Sequence, residues 1–342
     1  MRNFSFAVAV VLAFAALGDA HAQTVSPGSG QAASSFDKSS GGSGQAFPAR
    51  SVRVIVPYPP GGSPDINARN LEGELGKQLG QQVVVDNRPG ASGIIGYEML
   101  ARATPDGYTM GYISNLIATN PGIYAKLPYD FARDFQPVIF FFSGINVLAV
   151  TPSLPARSVD ELIELSRANP GKLSYGSSGI GATPHLAMEL FKIMTGTVIV
   201  HVPYKGTQQA VTDVIGGQID MVCDNIGPLL PLVRSGRLRG LAVTSLKRSS
   251  VVPELPTLDE AGIPGYELTG WSGLAVPAGV PREIVLRLNA EINKALLTSL
   301  SKSIAERGGA AMGGTPEQFA EHVRRETERL GKLLKAVGIK PQ

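Results

Sequence analysis

Short apolar runs rich in Val, Ile and Tyr alternate with longer segments of helical period along most of this chain, and that alternation restricts the fold more than any other feature. "VRVIVPY" (52–58) precedes a predicted helix near 64–79, "QVVVDN" one near 92–103, "INVLAVTP" one at 158–168 and "KLSYGSS" one at 184–194. "VIVHVPY" leads to a helix at 207–216, "IDMVCDN" to one at 227–235, and "SGLAVPA" to a long helix at 281–297. "YTMGYIS" and "RGLAVTS" read as further strands, and a last helix spans about 316–337. Alternation of this kind predicts parallel sheets covered by helices on both faces.

Two units rhyme. "VLAVTPSLPARSVDELIELSRANP" and "GLAVPAGVPREIVLRLNAEINKAL" each run strand, Pro-containing turn, second Pro, then helix. No short-period repeat is present, which speaks against a solenoid. The expected fold is therefore α/β, with two Rossmann-like lobes joined by two crossover strands near 148 and 270. Lobe I takes 49–148 and 272–342, and lobe II takes 149–271. Two crossings make a hinge, and the cleft between lobes is the natural place for a ligand.

The ends and the composition bound the remainder. Arg2, the apolar run "FAVAVVLAFAALG" and "AHA" at 20–22 form a charged start, an apolar core and an A-x-A site, so residues 1–22 read as a secretory signal peptide. Export to the periplasm is expected. Residues 23–48, mostly Ser, Gly, Gln and Ala, read as a flexible linker. About 290 residues are left, enough for two domains of moderate size. The single Cys223 excludes an internal disulfide, so the core must hold the fold. A formal charge of +3, spread along the chain, is no nucleic-acid footprint.

Two stretches carry the site. In "VPYPPGGSPDINAR" (56–69), Ser63–Pro64 has the pattern of an N-cap followed by proline at the first helical position. Gly61 and Gly62 let the backbone bend and bring its N–H groups close to an anion at the helix N-terminus. Neither a Walker loop nor a dinucleotide fingerprint is present. The bland alternative is a capped helix in which Asp65 answers the dipole. "SYGSSGIGATPHLAMEL" (174–190) repeats the design with Thr183–Pro184, and Ser177, Ser178 and Thr183 offer hydroxyls beside Gly179. One such terminus from each lobe could grip two anionic groups of one small molecule. Hydrogen bonds to a charged group contribute about 1.5–3 kcal/mol each, so four give roughly 6–12 kcal/mol gross, against a comparable cost of association.

Ser114 and Asn115, where "YTMGYIS" ends, and Tyr204 and Asn225, at the ends of two later strands, are further candidates for the cleft wall. Lys205 reads as solvated, and Trp271 as a cleft or hinge residue.

"YPPGGSPD-x-x-AR", "VVVDNRPGASG-x-IG", "ATPDGYT", "NPGKLSYGSSG-x-G-x-TPHLAMELF", "HVPYKGTQQAVTDVIGGQID" and "GGTPEQFAEHVRRE" resemble the extracytoplasmic solute receptors of tripartite tricarboxylate transporters, the Bug family, over essentially all of 50–340. The resemblance implies a Venus-flytrap receptor of the type II periplasmic binding class. It would hold a carboxylated small molecule through main-chain N–H groups, hydroxyls and waters, and deliver it to membrane subunits encoded elsewhere. The segments matching the family's carboxylate loops are 60–65 and 177–185, those already selected from the residues. Many relatives carry a small polar residue where this chain has Ile180. With Leu116, Ile180 favours a ligand with an apolar or aromatic middle. A monomer without cofactor is expected.

The enzymatic alternative is a periplasmic serine hydrolase, with Ser177 or Ser178 as nucleophile and His185 as base. The last Gly of "GxSxG" is replaced by Ile180, and no carboxylate is identified to hold the histidine. His185 itself reads either as a ligand-facing donor or as a packed residue. No HExxH or Cys/His spacing suggests a metal site. "DNRPGASG" reads as a structural turn with Arg88 pairing locally. The amphipathic "EHVRRETERLGKLLK" reads as a surface helix, or as a docking face for the membrane partner.

Overall fold

The computed structural model describes residues 47–339 and 341, so the expected signal peptide and nearly all of the expected linker lie outside the described residues. Strand β1 (Val52–Val56) leads into α1 (Ser63–Leu79), β2 (Val83–Asn87) into a 3-10 turn (Ala91–Gly93) and α2 (Ile94–Ala101), and β3 (Thr109–Ser114) into α3 (Asn115–Ile123). After α4 (Phe131–Asp134) and the long β4 (Phe135–Gly144), the chain enters β5 (Asn146–Val150) and α5 (Val159–Ala168). Then come β6 (Ser174–Ser177), α6 (Thr183–Thr195), β7 (Val200–Pro203), α7 (Thr207–Ile215), β8 (Met221–Asn225), α8 (Ile226–Arg234) and β9 (Arg239–Val243). The last elements are β10 (Gly270–Pro277), α9 (Arg282–Leu296), α10 (Ser299–Ala305), β11 (Gly309–Gly313) and α11 (Pro316–Ala336).

Local chemistry explains the regular pieces. The β-branched residues of β1 fit a buried central strand, and four of its five residues are buried. In α1, Ala68, Leu71, Leu75 and Leu79 recur at helical spacing and are buried, and Gly80 ends the helix at φ 65°, a conformation glycine adopts without strain. Thr315 and Gln318 form a reciprocal capping box that starts α11.

Two lobes result, each built on its own sheet. One sheet has the order β11-β4-β10-β3-β1-β2 and the other β7-β6-β8-β5-β9. Both are mixed, which corrects the expectation of parallel sheets for some of their strands. The strands β1, β2 and β3 are parallel, as are β6, β7 and β8. However, β10 runs antiparallel to β3 and β4, and β5 runs antiparallel to β8 and β9. Two of the odd strands, β10 and β5, are those entering from the other lobe, and the third is the edge strand β11, which pairs antiparallel with β4. A strand that arrives through the hinge has no crossover helix to set its direction, so the parallel rule does not bind it. Only Ile145 separates β4 from β5, and β10 returns with Gly270 paired to Gly144. Among the described residues no helix is long and apolar enough to cross a membrane.

Candidate functional site

Six strand-to-helix turns meet between the two sheets: β1–α1, β2–α2 and β3–α3 from one, and β6–α6, β7–α7 and β8–α8 from the other. They enclose a cavity of about 700 Å³, within the range of small-molecule sites. Ligands of α/β sheets bind beyond the carboxyl ends of parallel strands because turns and helix N-termini project there.

In the first turn the helix begins one residue earlier than the sequence pattern suggests. Gly62 is the N-cap (φ −79°, ψ 167°) and Pro64 follows Ser63 inside the helix. Ser63 therefore does not cap α1. It lines the cavity beside Gly62, and its hydroxyl has no protein partner among the described residues. Gly61 and Asp65 do not line the cavity. Gly61, at φ 85°, gives its N–H to Asp65 Oδ2 at 2.9 Å. Asp65 also accepts from Asn87 Nδ2 (2.9 Å) and Arg69 Nε (3.0 Å). Burial pushes its carboxyl up, but these bonds outweigh burial and hold it below the usual range. Asp65 braces the turn from behind.

The second turn has the same offset. Ala182 is the N-cap of α6, so Thr183 is the first helical residue and leaves its hydroxyl unpartnered among the described residues. Ser178, Gly179, Ile180 and Thr183 line the cavity, whereas Ser177 and His185 do not. The Ser177 hydroxyl is fully buried and lies 2.7 Å from His201 Nε2. His185 Nδ1 accepts the N–H of Gly181 at 3.1 Å, and its ring packs 4.3 Å from that of His201. Burial holds both imidazoles down at about 4, against the opposing pull of the Glu189 carboxylate and with a smaller contribution from the Lys192 ammonium in the same direction as burial. These neutral histidines shape the turn from beneath. At both helix starts the first N–H groups have no intrahelical acceptor, so they are available to an anion.

The wall between the turns is aromatic and amide-rich. Tyr58 shares a hydrogen bond with Ser114 (2.8 Å), and the Tyr112 hydroxyl donates to Ser272 (2.7 Å). Burial raises both phenols, Tyr112 to about 12, so they remain neutral. Asn115 accepts the Trp271 N–H through Oδ1 (2.9 Å). The Nδ2 groups of Asn115 and Asn146 are buried without a protein partner, and both residues line the cavity. A buried donor left unpaired costs about 1–3 kcal/mol, so these amides call for an acceptor in the space they border. Tyr204 lines the cavity by its ring, since its hydroxyl donates to Asp213 (2.6 Å), and Asn225 caps α8 through Oδ1. Lys205, expected in solvent, is exposed but lines the cavity, as does Trp271.

The turn Pro89–Gly93 also lines the cavity, although its sequence reads as a structural turn. Arg88 does pair locally with Asp86, but Ala91 and Ser92 sit at φ 45° and 51°, strained for residues with a Cβ. The conformation is held by Asn120, which donates to Ser92 O, and by Tyr124, which donates to Ser92 Oγ. Its signal was the same glycine-punctuated strand-to-helix junction that marked the other two turns.

Direct bonds cross the cleft. Ser92 Oγ donates to Ile180 O (3.2 Å), Thr119 Oγ1 to Gly181 O (3.0 Å) and Gln208 Nε2 to Gly61 O (3.1 Å). The lobes are thus seen closed on one another.

Comparison with known proteins agrees with this geometry. The family described as "Tripartite tricarboxylate transporter family receptor" matches residues 67–339. BugT of Bordetella pertussis is 36% identical over 301 residues, which cover 87% of this chain and 92% of that protein. The structure of R. palustris Rpa4515 with adipate matches with a TM-score of 0.84 at 40% identity, covering 86% of this chain and 100% of that one. MatC from Rhodopseudomonas palustris with bound malate matches at 0.80 and 29% identity, covering 84% and 100%.

Proposed function

The chain belongs to the tripartite tricarboxylate transporter receptor family, with Bug proteins among its relatives, and on that footing we propose that it is a periplasmic receptor that captures a small carboxylate between its lobes. The ligand passes unchanged to the membrane subunits of a tripartite transporter. The observation that carries this reading is the cavity between the lobes, whose wall offers donors unpartnered among the described residues: the Ser63, Ser178 and Thr183 hydroxyls, the Asn115 and Asn146 amides, and the N-termini of α1 and α6. Such a wall neutralises a carboxylate by dipoles instead of by a buried arginine. Lobe I is taken as 49–148 with 272–342 and lobe II as 149–271, and the receptor acts as a monomer.

The ligand class follows from the rest of the wall. Tyr58, Tyr112, Phe142, Trp271, Leu116 and Ile180 surround the space between the two turns. They favour an acid with an apolar or aromatic middle, a reading supported by the adipate complex of Rpa4515. Closure is a population shift towards the state with the better contacts. No chemical step is assigned. The Ser177–His201 pair is the feature nearest to a hydrolase, but Ser177 is sealed off and neither residue borders the cavity.

A thermal-shift and calorimetric screen over adipate, terephthalate, malate and citrate tests this. Adipate or terephthalate should bind most tightly, and at about 100 times its dissociation constant should stabilise the protein by roughly 2.7 kcal/mol. Far tighter binding of malate or citrate would refute the apolar middle, and silence across all four acids would refute the receptor reading for this ligand class.

A further inference from the structure

We propose that Asp224 is a specificity-determining residue of the cavity: it accepts only a ligand end that brings a hydrogen, so a dicarboxylate is captured together with one proton. The inference rests on the receptor reading above. Among the described residues Asp224 is the single acid that lines the cavity, and it is 7% exposed. Its carboxylate accepts from Thr207 Oγ1 at the start of α7 and from the backbone N–H of Asn225 (2.6 Å). Among the described residues no Lys, Arg or His lies within ion-pair distance of it.

The groups around Asp224 offer no compensating charge. Tyr58, half-buried in the β1–α1 turn, and Cys223, buried beside it on β8, are both held neutral. Val147 faces it across the β5–β8 ladder. Lys205, the single cation of the lining among the described residues, is exposed and makes no ion pair with any of them. A dicarboxylate gripped at one end by the helix N-termini seats its other end in the same cavity, which Asp224 borders. Two carboxylates at close range disfavour double ionisation, the more so where one of them is buried as Asp224 is, and sharing one proton converts their repulsion into a hydrogen bond. Burial already pushes the Asp224 carboxyl up to about 6, against the pull of Thr207 and Asn225. The proton therefore comes from bulk water at little cost near neutrality.

The test is calorimetry at pH 7 in two buffers of different ionisation enthalpy, with adipate and with monomethyl adipate, which keeps one carboxylate and lacks the second. Wild-type protein should take up about one proton with adipate and should bind the half-ester, whose ester end brings no hydrogen, at least ten-fold more weakly. Between pH 6 and 8, where adipate is ionised, its affinity should fall about fifty-fold. Asp224→Asn should bind adipate with no such slope and no proton uptake. Wild-type binding of adipate without proton uptake, half-ester binding as tight as that of adipate, or an unchanged slope in D224N would overturn the proposal while leaving the receptor reading intact. Failure of both ligands to bind either protein would overturn the two together.

Discussion

Ser63 and Thr183 show how a residue can be well chosen for the wrong local reason. Each precedes a proline, which marks a helix start, and the pattern predicts a capping hydroxyl. In the structure Gly62 and Ala182 take the cap position, so both hydroxyls are left for the cavity instead of folding back on the helix. A one-residue shift of a helix boundary lies below what sequence resolves, because Ser, Gly and Ala all tolerate the extended N-cap backbone. Replacing Thr183 by Val, which keeps the branched shape, removes only the hydroxyl. The apo-protein should keep its stability within about 0.5 kcal/mol, while affinity for the acid found by the screen should fall roughly ten-fold or more, the value of a hydrogen bond to a charge. Denaturation and calorimetry on the same variant check both, and unchanged affinity would remove Thr183 from the grip.

The elements that sequence located are those with their own hydrophobic period, and those it passed over depend on neighbours. The strand β4 reads "FQPVIFFFSG", with no alternation and with Pro137 inside, yet it lies between β10 and β11. Pro137 is tolerated because the β10–β4 register shifts between Leu274 and Ala275, and Ala275 is its partner. The edge strand β11, "GAAMG", has little strand propensity and exists because β4 offers it a free side. The turn before α6 depends on context in the same way. Gly181 is at φ 79°, and a Cβ there would lie 2.2 Å from Ile123 Cδ1 and 3.1 Å from Thr119 Oγ1, both on α3 of the other lobe. Gly181→Ala should lower stability by about 1–2 kcal/mol from backbone strain and weaken acid binding at least ten-fold by lifting the turn from α3. Chemical denaturation and calorimetry separate the two effects, and wild-type affinity would show that the turn can seat without this contact.

Closure is a property of the whole molecule, and it can be obstructed without touching the donors. Gly206 is extended (φ −172°), a backbone open to any residue, but its added Cβ would lie 2.6 Å from Pro59 Cγ across the cleft. Gly206→Ala should leave each lobe folded and shift the population towards the open state. A larger radius of gyration by X-ray scattering in the presence of ligand, and weaker binding with an unchanged apo unfolding midpoint, are the expected results. Unchanged scattering and affinity would mean that the Pro59 contact is not a closure contact. By itself the sequence determined the alternating α/β plan, two of the turns that border the cavity and the small polar residues that line them. All of these follow from local preferences: β-branched runs, prolines at helix starts and glycines at sharp bends. The tertiary structure alone decided which side of each turn faces the cavity, that Asp65 and His185 brace it from behind, and that Asp224, Asn146 and the Pro89–Gly93 turn join the site. Those facts depend on contacts between segments far apart in the chain, and no local propensity encodes the direction in which a side chain finds its partner.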